Sequence, residues 1–168
     1  MPARKILLYP HPVLKTVCSA ASPADPGMPL LVGDLVDTMR EGPGSVGVAA
    51  PQIGVPLRVC VVDVSASKHG KENTHGLLVL INPEIVEREG SAMMREGCMS
   101  IPDYTGDVER ATDITVRFLG MDGAPREIRT SGFEAVAVQH EMDHLDGILF
   151  LDRISSLKTG LFRRKNYR

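Results

Sequence analysis

Hydrophobic residues recur with helical spacing in a segment near the N-terminus, PLLVGDLVDTMRE, residues 29–41. Its apolar positions on one helical stripe are Leu31, Val32, Leu35, Val36 and Met39. Pro29 stands at the start, where a helix tolerates proline because the missing N–H would have no partner there. The pattern predicts an amphipathic helix over residues 29–41.

Short runs of β-branched and aliphatic residues follow, bounded by turn-forming residues. The runs LRVCVVDV (57–64) and LLVLINP (77–83) are typical of strands. The segment DITVRFLGMDGAPREIRT (113–130) contains two more runs around Asp122-Gly123, a dipeptide that favours a hairpin turn. We therefore expect strands in the middle of the chain and a hairpin after them.

A second helix is predicted from about Ser131, and it is apolar on nearly all sides. Thr130 or Ser131 is the candidate N-cap, with Glu134 at the capping-box position. One face carries Phe133, Val136 and Ala137, and the opposite face carries Ala135, Val138, Met142 and Leu145. A helix of this kind is a buried one. The chain has few predicted helices and many short predicted strands, and the strands mostly do not alternate with helices. This order predicts an α+β fold.

Length and composition narrow the class of protein. The 168 residues are close to the usual size of one domain, so we expect a single domain over residues 1–168. The 21 acidic and 19 basic residues give a net charge of −2, which is not the basic field of a nucleic-acid-binding protein. No apolar run is long enough for a signal peptide or a membrane span. Three cysteines, an odd number, argue against a disulfide framework.

The predicted buried helix contains His140, Glu141 and His144 in the pattern H-E-x-x-H. This spacing puts both imidazoles one turn apart on the same face, with the glutamate beside them. Two metal ligands and a general base are typically arranged in this way. The plainer alternative is a pair of core histidines with backbone partners, because the pattern also has false positives.

A catalytic metal usually needs a third protein ligand. In metalloproteases with a third histidine after the helix, that ligand stands where this chain has Phe150, and neither His nor Glu occurs after His144. The ligand is then an aspartate or an upstream residue. Apart from carboxylates, the upstream candidates are Cys18, Cys60, Cys98, His11, His69 and His75. The sequence REGCMSIP favours Cys98, because glycine, serine and proline suit an irregular loop edge, but spacing alone leaves the choice open.

Three motifs occur in the order found in peptide deformylases: VGVAAPQ (46–52), EGCMS (96–100) and QHEMDH (139–144). The chain resembles this family over nearly its whole length, including INPEI (81–85) and GILFLDRI (147–154). It departs from the family at Ser45, where the first motif usually has glycine, and at Val48 and Met99, where leucine is more usual. The two leucine replacements nearly conserve volume.

The resemblance implies an α+β fold with antiparallel β-sheets around a central buried helix that carries the H-E-x-x-H motif. It implies a metal-dependent hydrolase that removes the N-terminal formyl group from formyl-methionine of newly synthesised polypeptides and releases formate. The expected partners are N-formylmethionyl peptides of nascent chains. The expected location is the bacterial cytoplasm, or an organellar matrix or stroma if a transit segment has been removed.

The resemblance also implies individual roles. The metal ligands are Cys98, His140 and His144. The catalytic groups are Glu141 as acid and base, and the Gln52 side chain and Met99 backbone N–H as donors to the substrate carbonyl oxygen. The substrate-binding residues are Val46, Gly47 and Gly97 along the peptide main chain, and Phe133, Val136 and Ala137 in the methionine pocket. The expected metal is Fe²⁺, for which Zn²⁺, Ni²⁺ or Co²⁺ can substitute. Glu96 and Arg110 are expected to form an ion pair.

Three other classes of protein share part of these patterns. GPGSVG, residues 42–47, matches G-x-G-x-x-G, but a dinucleotide site needs a strand before it and a helix after it, and Pro51 breaks any such helix. An endopeptidase would use the same ligands, but a pocket closed by formyl recognition would reject internal peptides. A structural metal would want a fourth ligand and would leave Glu141 without a role.

The C-terminal segment is more basic than the rest of the chain. Its basic residues are Arg163, Arg164, Lys165 and Arg168. The favoured interpretation is a solvated tail. A weak contact with ribosomal RNA is the second interpretation, without sequence-specific nucleic-acid recognition.

Overall fold

The computed structural model describes residues 3–164, which contain eight strands and four helices. The strands are β1 (Gly47–Ala49), β2 (Val59–Val62), β3 (Leu78–Glu89), β4 (Ala92–Cys98), β5 (Ile101–Arg110), β6 (Asp113–Leu119), β7 (Pro125–Ser131) and β8 (Leu161–Arg163). The helices are α1 (Met28–Glu41), α2 (Gly132–Leu145), α3 (Phe150–Arg153) and α4 (Leu157–Gly160). Short 3₁₀ turns occur at Pro12–Lys15 and Ala50–Ile53.

The strands form two antiparallel sheets. One has five strands in the order β1-β2-β3-β6-β7, and the other has three in the order β4-β5-β8. All named strand pairs are antiparallel. The predicted α+β class with antiparallel sheets is therefore confirmed.

Helix α2 packs on the five-stranded sheet and reaches the three-stranded sheet with its other side. Every residue of α2 from Glu134 to Leu145 is buried. Strand β2 is also buried throughout, because alternate side chains enter two clusters. Cys60 and Val62 pack in the cluster that includes α2, whereas Val59 and Val61 pack in the one that includes α1. A third cluster joins Cys98, Ile101 and Val108 to Leu149 and Phe150. The predicted central helix is thus in place.

Most locally patterned elements occur where they were predicted. Helix α1 begins one residue before the predicted start, and β2 lies within the first aliphatic run. Strand β3 begins in the second run and continues beyond it to Glu89. Strands β6 and β7 pair from Asp113 opposite Ser131 to Leu119 opposite Pro125, and Gly123 in their connection has a φ of 81°. The hairpin prediction is confirmed. None of the helices within residues 3–164 has the length and apolar character that crossing a bilayer requires.

The expectation that Cys98 lies at the edge of an irregular loop is wrong. Cys98 is the last residue of β4, which pairs with β5, and the register shifts between Gly97 and Cys98. Strand β4 gives little strand signal because Glu96 and Cys98 are its buried residues, while the apolar Met93 is exposed.

Two further expectations need correction. Ser131 precedes α2 but makes no side-chain cap, and the Glu134 carboxylate accepts hydrogen bonds from His75 N–H (2.6 Å) and the Thr130 hydroxyl (2.8 Å) instead of closing a capping box. Part of the expected solvated tail is strand β8, because Leu161–Arg163 pair with β5. Lys165 and Arg168 lie outside the described residues.

Candidate active site

The structure brings Cys98, His140 and His144 together at the contact between β4 and α2. Their candidate ligand atoms lie within 4.8 Å of one another, and Cys98 Sγ is 3.3 Å from His144 Nε2. Within residues 3–164 they form the one group of three or more His, Cys, Asp or Glu side chains arranged in this way. The other upstream cysteines and histidines, including the strand residue Cys60, lie outside the group.

Glu96 orients the first histidine. Its Oε1 is 2.8 Å from His140 Nδ1, so the ring is held by that nitrogen. The other ring nitrogen, Nε2, is 4.0 Å from a carboxylate oxygen of Glu141. A carboxylate that holds the outer nitrogen of a ligating histidine fixes the ring and its tautomer. Glu96 therefore prepares His140 to offer Nε2 to a metal.

A chain of ion pairs, buried except at Arg153, supports Glu96. Arg110 donates to both Glu96 oxygens, at 2.7 and 2.8 Å, and to Asp143 Oδ2 at 2.6 Å. Arg153 donates to both oxygens of the same aspartate, at 2.5 and 2.8 Å. The expected pairing of Glu96 with Arg110 is confirmed. Roles for Asp143 and Arg153 were not predicted from the sequence. The one hint in the sequence was Asp143 itself, because an aspartate is unexpected on a helix that is apolar on nearly all sides.

The paired charges shift the ionisation of Glu96 and Arg110. Burial disfavours the Glu96 carboxylate, but hydrogen bonds from Arg110 and His140 reverse this and lower its pKa to about 2. Burial also disfavours the Arg110 cation, and its bonds to Glu96 and Asp143 raise its pKa overall. Both groups are therefore charged at neutral pH.

The pKa values of Cys98 and Glu141 are shifted as well. Burial opposes ionisation of Cys98, yet the His144 and His140 imidazoles hold the pKa of this thiol well below its ordinary value. Burial raises the pKa of Glu141, and the two imidazoles offset only part of that effect. The site thus combines a thiolate with a carboxyl group that readily accepts a proton.

The donor set fits a divalent metal. Thiolate and imidazole are the ligands that zinc and iron accept in proteins. Two buried atoms beside the group, His144 Nδ1 and Glu141 Oε1, have no hydrogen-bond partner in the described part of the chain. Buried polar atoms are seldom left unpaired, so the Glu141 oxygen has the capacity to accept a hydrogen bond from a group that enters the site.

A cleft of about 490 Å³ opens beside the ligand group. Every residue predicted from the sequence to bind substrate or to catalyse lines it, and so do Cys98 and His140. The structure thus gathers these residues in one cleft, with Phe133, Val136 and Ala137 forming the wall from α2. Their collective position fits a pocket for an apolar side chain.

Gln52 is fixed with its amide nitrogen towards Cys98. Its Oε1 accepts from Ala49 N–H at 3.0 Å, and its Nε2 donates to the Ser100 hydroxyl at 3.1 Å and lies 3.5 Å from Cys98 Sγ. The side chain is buried and cannot easily turn over. Gln52 therefore presents a fixed N–H donor next to the ligand group.

The first residue of β1, Gly47, packs directly against Glu141. A Cβ added at Gly47 would lie 2.8 Å from both Cγ and Oε2 of Glu141, closer than real contacts allow. Ser45, at the position where the family usually has glycine, donates its hydroxyl to the Gly47 carbonyl at 3.3 Å. The missing side chain of Gly47 therefore leaves the space that the Glu141 carboxylate occupies.

We expect Gly47→Ala to lower activity by roughly tenfold or more, since small displacements of catalytic groups reduce rates strongly. The added methyl group must displace the Glu141 side chain. Activity of the purified variant, with its metal content, measures the effect. Gly33→Ala is the control, because nothing lies within 4 Å of a Cβ there. Parental activity in the Gly47 variant would contradict this packing argument.

The buried helix, its H-E-x-x-H side chains and the cysteine from the facing strand define a metal-dependent hydrolase. Comparison with known proteins gives the family: residues 3–160 match the family model described as polypeptide deformylase. The chain belongs to the polypeptide deformylase family, whose members remove the N-formyl group from nascent peptides.

Individual relatives agree with this assignment. A peptide deformylase of Syntrophobacter fumaroxidans is 41% identical over 160 residues, covering 95% of this chain and 91% of the relative. The crystal structure of a peptide deformylase from Legionella pneumophila matches with a TM-score of 0.83 and 40% identity, covering 93% and 88% of the two chains. The Met-Ala-Ser-bound peptide deformylase of Acinetobacter baumannii matches with a TM-score of 0.82 and 34% identity, covering 90% and 98%.

Proposed function

We propose that this chain hydrolyses the formyl group of N-formylmethionyl peptides, with Cys98, His140 and His144 holding one divalent metal. The observation that carries the proposal is the orphaned, buried oxygen of Glu141 beside this three-ligand group at the cleft. A structural metal would leave that carboxyl without a role. The reaction adds water to the formyl carbon, breaks the C–N bond, and yields formate and a free N-terminal amine.

When bound, the metal supplies the Lewis acidity that makes water a nucleophile near neutral pH. Glu141 accepts the proton that the water loses and delivers it to the leaving amine. The raised pKa of this buried carboxyl suits both transfers. Gln52 Nε2 and the Met99 N–H donate to the formyl oxygen as negative charge develops on it.

The rest of the cleft positions the peptide. Phe133, Val136 and Ala137 receive the methionine side chain, and Val46, Gly47 and Gly97 contact the peptide backbone as it lies along β4. This mode of binding reads mainly the main chain and therefore accepts many sequences. The related Acinetobacter baumannii deformylase has been solved with Met-Ala-Ser bound, which supports binding of a short peptide by this chain.

Formate release from formyl-Met-Ala-Ser, compared with acetyl-Met-Ala-Ser, tests the proposed activity. We expect the formyl peptide alone to react, and its internal peptide bonds to stay intact by mass spectrometry. Cleavage of an internal bond would assign an endopeptidase instead. A protein with a full complement of metal but no formate release would refute the proposal.

We propose ferrous iron as the native metal, as the family resemblance implies, with zinc, nickel or cobalt as substitutes. Affinity alone favours zinc over iron for such ligands, so the assignment needs a direct test. We expect metal-free protein loaded with Fe²⁺ under argon to turn over faster than the Zn²⁺ form, and to lose activity in air as iron or the Cys98 thiolate is oxidised. Equal turnover and equal air tolerance at equal occupancy would assign zinc.

Contact of the basic C-terminal segment with ribosomal RNA stays a prediction. Arg163 is exposed on β8, while Lys165 and Arg168 lie outside the described residues. Deletion of residues 163–168 should remove a salt-dependent binding to ribosomes, measured by co-sedimentation. Unchanged binding would rule the contact out. The proposed reaction would take place where nascent formylated chains emerge, in the bacterial cytoplasm or in an organellar matrix or stroma.

A further inference from the structure

Strand β8 carries Arg164 to the rim of the cleft. Phe162 of β8 pairs with Thr105, which in turn pairs with Gly97 of β4. The Arg95 guanidinium lies over the Phe162 ring, 3.5 Å from its centre. Directly after the strand, the Arg164 N–H donates to the Asp103 carbonyl at 2.8 Å. These contacts hold the backbone of Arg164 in place.

The Arg164 guanidinium reaches across β5 to the surface of Gly97. A Cβ on Gly97 would lie 2.3 Å from Arg164 Nη2, so the missing side chain of this glycine makes the approach possible. Arg164 and Gly97 both line the cleft. Arg164 Nε has no hydrogen-bond partner among the described residues. The cation therefore reaches, through Nη2, the place where a peptide would pair with β4.

The neighbouring charges on β4 already have partners. Arg95 donates to Asp107 at 2.9 Å, and Glu96 is bonded to Arg110 and His140. Arg164 differs from them because its buried Nε has no hydrogen-bond partner among the described residues and its Nη2 lies at Gly97 in the cleft. A guanidinium at such a position binds carbonyl or carboxylate oxygens.

Alternation along β4 indicates which substrate residue meets Arg164. Glu96 and Cys98 point into the protein, whereas Arg95 and Gly97 lie on the exposed face. The guanidinium lies over Gly97, on that exposed face. Side chains of a peptide strand beside β4 also alternate. If methionine points into the pocket formed by α2, the side chain of the second residue lies on the face of Arg164.

We propose that Arg164 is a specificity-determining residue that binds an acidic side chain at the second residue of the formyl peptide. The proposal rests on the proposed deformylase function and adds a charge preference to a cleft that otherwise reads the main chain. The binding is made equally in the bound substrate and the transition state, so it lowers KM and leaves kcat unchanged.

The test uses the metal-loaded protein with formyl-Met-Glu-Ala-amide, the glutamine isostere and the lysine analogue. For the parent protein we expect the ratio of kcat/KM for the glutamate peptide to that for the lysine peptide to be about five, which is the effect of one partly exposed ion pair. The difference should lie in KM and not in kcat. The ratio should shrink as salt rises. In Arg164→Gln this ratio should fall to about one, whereas Arg164→Lys should keep part of the preference for glutamate.

Arg163→Gln is the matched control, because this exposed neighbour on β8 should leave the ratio unchanged. Matching unfolding temperatures for all variants show that they fold alike. A parent ratio of one with rapid formate release, or an unchanged ratio in Arg164→Gln, overturns the role of Arg164 and leaves the deformylase function standing. No formate release from any of the three peptides overturns both.

Discussion

Glu141→Gln is expected to keep the metal and to lose most of the activity. Glutamine preserves the volume of the buried side chain, and Glu141 lies outside the group of three ligands. The amide cannot accept the proton from water or deliver it to the leaving amine. Loss of such a general acid–base group lowers kcat by roughly 10²–10⁴-fold. Formate release, with metal content measured on the same sample, checks both parts.

Cys98→Ala is the contrasting variant for the same assignment. It removes one of the three ligands, so we expect it to lose the metal together with the activity. A metal-free Glu141→Gln variant, or a Cys98→Ala variant with a full equivalent of metal, would contradict the roles given to these two residues. An active glutamine variant would show that another group transfers the proton.

Glu96→Ala is expected to destabilise the protein by about 3–5 kcal/mol, because it leaves a buried Arg110 charge without its main partner. Arg110 and Glu96 side chains are only 3% and 5% exposed. The change also releases His140 Nδ1, so metal affinity should fall by roughly 10–100-fold. Urea unfolding of the metal-free protein separates the first effect from the second.

Glu87→Ala provides the control for this prediction. Glu87 lies on β3, is 56% exposed, and its nearest ion-pair contact to Arg129 is 3.7 Å. Exposed pairs of this kind contribute about 0–1 kcal/mol. Equal unfolding free energies for the Glu96 and Glu87 variants would mean that the buried chain of ion pairs adds little to stability.

The sequence predicts best those parts of the fold that depend on residues close to one another along the chain. Helix α1 and the β6–β7 hairpin follow from local periodicity and turn residues, and the buried character of α2 follows from its apolar residues on all sides. Strands β4 and β5 were missed, because the buried side chains of β4 include a glutamate and a cysteine. Their burial depends on Arg110 and on α2, which only the folded chain brings close.

In the candidate site, too, local patterns could be predicted from the sequence and long-range contacts could not. The two histidines were predicted from helical spacing, because one turn of α2 places them side by side. Cys98 could not be chosen by spacing, and only the resemblance to a family selected it. Asp143 and Arg153 extend the ion pair of Glu96 and Arg110 through long-range contacts. Arg164 was assigned to a solvated tail because nothing local shows that β8 pairs with β5.

Strand β4 is an edge strand of its sheet in the described part of the chain, and this has a consequence for solubility. An edge with free N–H and C=O groups can pair with any extended chain, including the same strand of another molecule. Proteins usually protect such edges, but a closed edge here could not take up a peptide. The exposed Arg95 interrupts the apolar residues of β4, and a charged side chain on an edge strand disfavours self-pairing. Edge-to-edge association is thus the hazard that accompanies an open peptide-binding strand, and a bound peptide should suppress it.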